Sequence, residues 1–190
     1  MSPDIARRFD AIYAGSDDPW AYETSEYEAA KYRSTIAALP ARRIRNALEM
    51  GCSIGVFTGM LAERCDRVVA ADFSPLAVER ARARLADRPN VELEQRDLRG
   101  SLPDGPFDLV VCSEVLYYWQ RADVEATLDE VESRLDDDGC LVAVNWRGVD
   151  PEAPLRSCDV EAIIDAREGF RRVHSEHADG YRLGRWERTS

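Results

Sequence analysis

Four short apolar runs, IRNALEM (44–50), RVVAADF (67–73), FDLVVCS (107–113) and CLVAVNW (140–146), recur along the chain with room for a helix after each. Short runs with little polar alternation are the mark of strands buried on both faces, which a parallel sheet between two helical layers requires. The intervening segments supply those helices. GVFTGMLAERC sets Val56, Met60 and Leu61 at helical spacing, and Ser74-Pro75 offers an N-cap and a first-turn proline to LAVERARARLA. Asp123 reads as the cap of a helix carrying Val124, Leu128, Val131 and Leu135 on one face, with DDDG (136–139) as its end. NVELEQRD (90–97) adds a strand. After a helix near 157–167, FRRVHSEH (170–177) and YRLGRWER (181–188) are joined by the hairpin-grade turn Asp179-Gly180. The pattern predicts an α/β fold: a seven-stranded, mainly parallel sheet, helices on both faces, and an antiparallel C-terminal strand at its edge.

A chain of 190 residues fits one domain over 1–190, with an N-terminal helical segment (1–40) and a core (41–190). Its net charge of −11 opposes nucleic acid and anionic membranes as partners, since both need basic patches. There is no apolar run of about 18 residues to span a bilayer, and MSPDIARRFDAIYAG lacks the apolar core of a signal peptide. The 5 cysteines are scattered, with no C-x-x-C pair, so neither a metal site nor a disulfide framework is expected, and the cytoplasm is the expected location.

EMGCSIG (49–55) contains G-x-S-x-G, which in a hydrolase would make Ser53 a nucleophile. Here the turn follows the first core strand, leaving too little sheet before it for that scaffold. Asp72 ends the next strand, 21 residues beyond Gly51, where a carboxylate can accept both ribose hydroxyls of a nucleoside lying over the glycine turn. A dinucleotide fits less well, because its fingerprint needs glycines where Ser53 and Val56 stand, and Glu49 would repel a pyrophosphate. S-adenosylmethionine has a ribose and no phosphate, and its sulfonium and ammonium suit an acidic neighbour.

ALEMGCSIGVFT, VVAADFSPLAVERARAR, QRDL and FDLVVCSEVLYYW resemble, in order and spacing, the successive motifs of class I S-adenosylmethionine-dependent methyltransferases over roughly residues 45–146. With DPW (18–20), the Gly-Cys turn and SEVLYYW, the chain more narrowly resembles the rhizobial nodulation N-methyltransferase family (nodulation protein S), whose substrate is a deacetylated chitooligosaccharide. The resemblance implies a Rossmann-like fold and a cofactor site. In it Gly51 and Gly55 let the backbone approach, Cys52 and Ser53 add main-chain groups, and Glu49 stands at the methionine end. Asp72 would hold the ribose and Phe73 lie against the adenine, or simply pack in the core. Asp97 would accept the adenine amino group beside Leu98, and Ser113 would complete the wall. The segment DPWAYETSEYEAAKYR would form a lid, with Lys31 or Arg33 on the methionine carboxylate, or else a plain surface helix. Trp20, Tyr27, Tyr117 and Tyr118 are candidates for binding the acceptor.

The sulfonium makes its methyl electrophilic, so the protein's task is to hold a nucleophile in line. Glu114 is the candidate catalytic group, as a base for an amine or an anchor for its cation. The expectation is methyl transfer to a small-molecule amine, such as an amino sugar, with S-adenosyl-L-homocysteine as product. A small-molecule O-methyltransferase, an NAD-binding oxidoreductase and a non-catalytic cofactor-binding protein stay open as alternatives.

Overall fold

The computed structural model describes residues 3–189. Two helices come first, α1 (Pro3–Gly15) and α2 (Glu26–Ala38), followed by β1 (Ile44–Met50), α3 (Val56–Ala62), β2 (Cys65–Asp72) and α4 (Pro75–Arg84). Then come β3 (Val91–Gln95), β4 (Phe107–Ser113), a single 3-10 turn (Leu116–Tyr118), α5 (Arg121–Arg134), β5 (Leu135–Trp146), α6 (Ser157–Asp165), β6 (Phe170–His177) and β7 (Tyr181–Arg188). The seven strands form one sheet in the order β3-β2-β1-β4-β5-β7-β6, with β7 antiparallel to both neighbours and the other strand pairs parallel. This is the expected α/β sheet. No helix among the described residues is long and apolar enough to cross a membrane.

The apolar runs explain the layers. Ala47, Leu48, Met50, Val68, Ala70, Leu109 and Val110 are fully buried, because the central strands carry helices on both faces. Two apolar clusters lie on the two sides of the sheet. One is built on α5 and α6, with Val124, Leu128, Val131 and Ile164; the other is built on α2 and α3, with Tyr32, Phe57 and Leu61. At α4, Ser74 accepts a hydrogen bond from the Ala77 N–H and Pro75 opens the helix, as expected.

Three local expectations are corrected. The antiparallel strand is not the edge: β7 lies one place in, because Leu183 and Trp186 need full burial, and half-exposed β6 takes the margin. Helix α5 begins at Arg121 with Gln120 as N-cap, which puts Asp123 inside the first turn. DDDG does not separate helix from strand. Helix α5 passes straight into β5, since buried Leu135 pairs with Phe107, and a register shift follows before Leu109 meets Cys140. Arg45 and Arg188 neutralise Asp136 and Asp137 there, which lets three consecutive acids stay extended.

Candidate active site

The carboxyl ends of β1, β2 and β4 converge where the strand order reverses, the place where open α/β sheets bind ligands. At the end of β1, Gly51 has φ 80° and lies so close to Val115 that a Cβ would stand 2.1 Å from Val115 Cγ2. Both facts demand glycine. Ser53 (φ 49°) and Glu114 (φ 60°) also adopt left-handed backbone, a strained state that collects at functional sites.

Asp72 holds this turn in shape. Its Oδ2 accepts the Ser53 N–H at 3.0 Å and its Oδ1 accepts the Ser74 N–H at 2.9 Å. Burial pushes its carboxyl up to about 6 despite those bonds. Glu49, at the end of β1, is 2 % exposed, and burial raises it to about 7. Its Oε2 has no hydrogen-bond partner among the described residues.

Three spaces meet here. A cleft of about 630 Å³, counting its mouth, is lined by Gly51, Ser53, Asp72, Phe73, Asp97, Leu98, Ser113 and Glu114, with Trp20 and Tyr118 across it. A smaller pocket of about 360 Å³ is lined by Glu49, Gly51, Cys52, Ser53, Ser113, Glu114 and Lys31. A cavity of about 980 Å³ opens between Trp20, Tyr27, Lys31, Glu114, Tyr117 and Tyr118. Glu114 lines all three. Its Oε1 pairs with Lys31 Nζ at 3.0 Å, while its Oε2 accepts the Tyr117 hydroxyl at 2.9 Å and the Trp146 N–H at 2.8 Å.

Two cationic candidates are placed differently from expectation. Lys31 does not stand open to a ligand carboxylate, because its buried ammonium lies 3.0 Å from both Glu28 and Glu114. Arg33 is exposed and lines none of the three spaces, since two residues along a helix lead to nearly opposite faces. Gly55 lies behind the cleft as the N-cap of α3, where its φ of 81° and the closeness of Leu85 Cδ1 (2.9 Å from a built Cβ) require glycine. Asp97 lines the cleft with its carboxylate held by Arg99 (Nε to Oδ1 2.9 Å).

Helix α1 supplies residues that the sequence reading passed over. Phe9 and Tyr13 line the cleft, with Tyr22, Arg96, Val115 and Trp119. The Phe9 ring meets Phe73 at 5.9 Å and Tyr118 at 5.0 Å, both edge-on, and the Tyr13 hydroxyl lies 2.6 Å from Ser53 Oγ. The available signal was the spacing of Ile5, Phe9 and Tyr13, one apolar stripe four residues apart.

The family model of nodulation protein S (NodS) matches residues 9–165. Nodulation protein S of Bradyrhizobium diazoefficiens is 35% identical over 130 residues, covering 66% of this chain and 61% of that protein. The chain thus spans about three fifths of the length of such curated relatives. A crystal structure of a putative methyltransferase from Pseudomonas syringae is 40% identical with a TM-score of 0.76, covering 86% of this chain and all of that one. N-methyltransferase NodS from Bradyrhizobium japonicum WM9, in complex with S-adenosyl-L-homocysteine, has the same fold, with a TM-score of 0.86 at 24% identity over 97% of this chain and 98% of that one. The chain belongs to the nodulation protein S (NodS) family.

Proposed function

We propose that the protein is an S-adenosylmethionine-dependent methyltransferase that methylates the amine of a small-molecule acceptor, an amino sugar in the first instance. The observation that carries this reading is the pair of buried carboxylates, Asp72 and Glu49, on either side of the Gly51 turn. Glu49 Oε2 lacks a partner among the described residues, and a ligand ammonium would satisfy it. Asp72 suits ribose hydroxyls, while Phe73, Leu98 and Asp97 suit the face and edge of an adenine. Cys52, Ser53 and Ser113 complete the walls.

When bound, the cofactor supplies an electrophilic methyl on a sulfonium. The residues around Glu114 then govern the acceptor, which would enter through the 980 Å³ cavity past Tyr27, Tyr117, Tyr118 and Trp20. Each carboxylate lining that cavity is ion-paired: Glu28 and Glu114 with Lys31, and Asp150 with Arg8 at 2.8 Å. A hydroxyl acceptor needs a base to remove its proton before attack, whereas a neutral amine attacks with its own lone pair. The paired acids therefore favour the amine, and the N-methyltransferase activity of the Bradyrhizobium japonicum relative points the same way. The amine would reach the methyl as the free base, having left its ammonium proton to water, and Glu114 would stabilise the positive charge that builds on its nitrogen as the new N–C bond forms. The net charge of −11 supports a small acceptor over a nucleic acid.

Replacing Asp72 tests the cofactor assignment. Asp72→Ala should weaken S-adenosyl-L-homocysteine binding by about 2 kcal/mol, roughly thirtyfold, as expected for hydrogen bonds to a charged group. Asp72→Asn keeps an acceptor for only one of the two turn N–H groups, so the loss is assigned to the ligand contact where both variants also keep parent-like thermal melts. Unchanged affinity by calorimetry in both would refute the assignment. Labelled cofactor offered with glucosamine oligomers, simple amines and phenols tests the acceptor, and label on phenols alone would exchange the amine for a hydroxyl.

A further inference from the structure

Among the described residues, the large hydrophobic side chains that stand exposed are Tyr27, Trp146 and Val149, and all three line the 980 Å³ cavity. Exposed apolar groups gathered at one cavity mark a surface meant to be covered. The two aromatic members come from distant elements and share one construction. The indole of Trp146 lies against Gly148, where a Cβ would stand 1.9 Å from Cζ2 and 2.1 Å from Cη2. The Tyr27 ring lies against Gly180, where a Cβ would stand 2.4 Å from Oη and 2.5 Å from Cε2. Neither glycine has a positive φ, so backbone conformation does not require glycine at these positions. Room for a ring does.

The two seats are tied together. Trp146 pairs with Tyr181 across β5 and β7, the Tyr27 ring meets Tyr181 at 6.3 Å, and the Arg147 N–H donates to the Gly180 carbonyl at 2.9 Å. The Trp146 backbone N–H, in turn, holds Glu114. One rigid unit therefore carries the rings at the rim and the carboxylate at the inner end.

We infer that Tyr27 and Trp146, seated on Gly180 and Gly148, form the specificity platform for the acceptor and select amines borne on a ring whose face can lie against them. This rests on the proposal that an amine acceptor occupies the larger cavity. Each ring is rigid and loses little freedom when covered, so stacking adds affinity without adding a reacting group. An acyclic amine can reach Glu114 but covers neither ring. The Asp179-Gly180 turn thus does more than close a hairpin: it makes the space that Tyr27 occupies.

The test is calorimetric, with the protein saturated with S-adenosyl-L-homocysteine and two probes, a fully deacetylated glucosamine tetramer and ethanolamine. Trp146→Ala should weaken the tetramer about tenfold, the upper range for one ring contact, and leave ethanolamine unchanged. Gly148→Ala and Gly180→Ala keep both rings but push them off their seats, and each should weaken the tetramer severalfold, again without affecting ethanolamine. Equal losses for both probes, parent-like tetramer binding in all three variants, or no tetramer binding by the parent would overturn the inference. Failure of the parent to bind S-adenosyl-L-homocysteine at all would instead remove the underlying methyltransferase reading.

Discussion

Glu49→Gln is expected to make the ligand-free protein more stable at pH 8 and a poorer binder of its cofactor. Burial raises the Glu49 carboxyl from an ordinary 4.5 to about 7. A group raised in the folded state binds its proton more tightly there than in the unfolded chain. Stability therefore falls as pH rises from about 4.5 to about 7 and stays reduced above that. The raised value corresponds to a cost of about 3 kcal/mol at pH 8. Glutamine has no charge to bury, though its own unpaired amide costs about 1 kcal/mol, so the net gain is about 2 kcal/mol. Near pH 4.5 the gain should disappear. Binding moves the other way: without the carboxylate, a ligand ammonium loses a charge-assisted contact of about 1.5–3 kcal/mol, at least tenfold in affinity. In the parent, affinity for S-adenosyl-L-homocysteine should fall as pH drops below about 7, and in the variant that dependence should flatten. Urea titrations at pH 4.5 and 8, with calorimetry across the same range, read both effects. A variant less stable at pH 8, or with parent-like affinity, contradicts this role for Glu49.

The same residue shows why the placement of the candidate cofactor residues was legible in the sequence. Asp72 ends β2 and Glu49 stands one residue before the end of β1, both in unmistakable apolar runs, and the end of a parallel strand fixes where its last side chains stand. The boundaries of β1, β4, β6 and β7 follow the apolar runs and the turn residues between them. The passage from α5 to β5 was not legible, because three acids and a glycine look like a loop until Arg45 and Arg188 neutralise two of them from other strands. Phe9 and Tyr13 were missed for a related reason. Their stripe announces a packed helix, but which cleft it packs over depends on contacts 40 or more residues away, such as that between Tyr13 and Ser53. Trp146 reads as the end of a core strand, and its exposure depends on the loop that follows.

Lys31 carries the largest expected loss. A lysine four residues from Tyr27 on a helix suggests one shared face, and nothing local shows that Glu114, 83 residues away, completes its pairing. Its ammonium is almost fully buried between Glu28 and Glu114. Burial opposes the charge, but the two carboxylates outweigh it, and the Lys31 pKa lies above its ordinary 10.5. A raised lysine contributes stability that is complete below its unfolded value and is lost only as pH rises through the folded one, so the contribution is full at neutral pH. Lys31→Met leaves two largely buried carboxylates facing each other. The expected cost at pH 8 is about 3 kcal/mol, the lower end for breaking a buried pair, because Glu114 keeps some solvent exposure. Glu28 is already raised by burial and is held down by Lys31, so removing the lysine moves it further up. The deficit should therefore shrink toward pH 5 as Glu28 takes a proton. Adding Glu28→Gln to Lys31→Met should restore about half of the loss at pH 8, because one of the facing charges is gone. S-adenosyl-L-homocysteine affinity should stay within a few-fold of the parent, since Lys31 is engaged by the protein's own acids; a loss of tenfold or more would return it to the methionine carboxylate. A stability deficit that is the same at pH 5 and pH 8 would show that packing of the lysine stem, and not its charge, holds α2 in place.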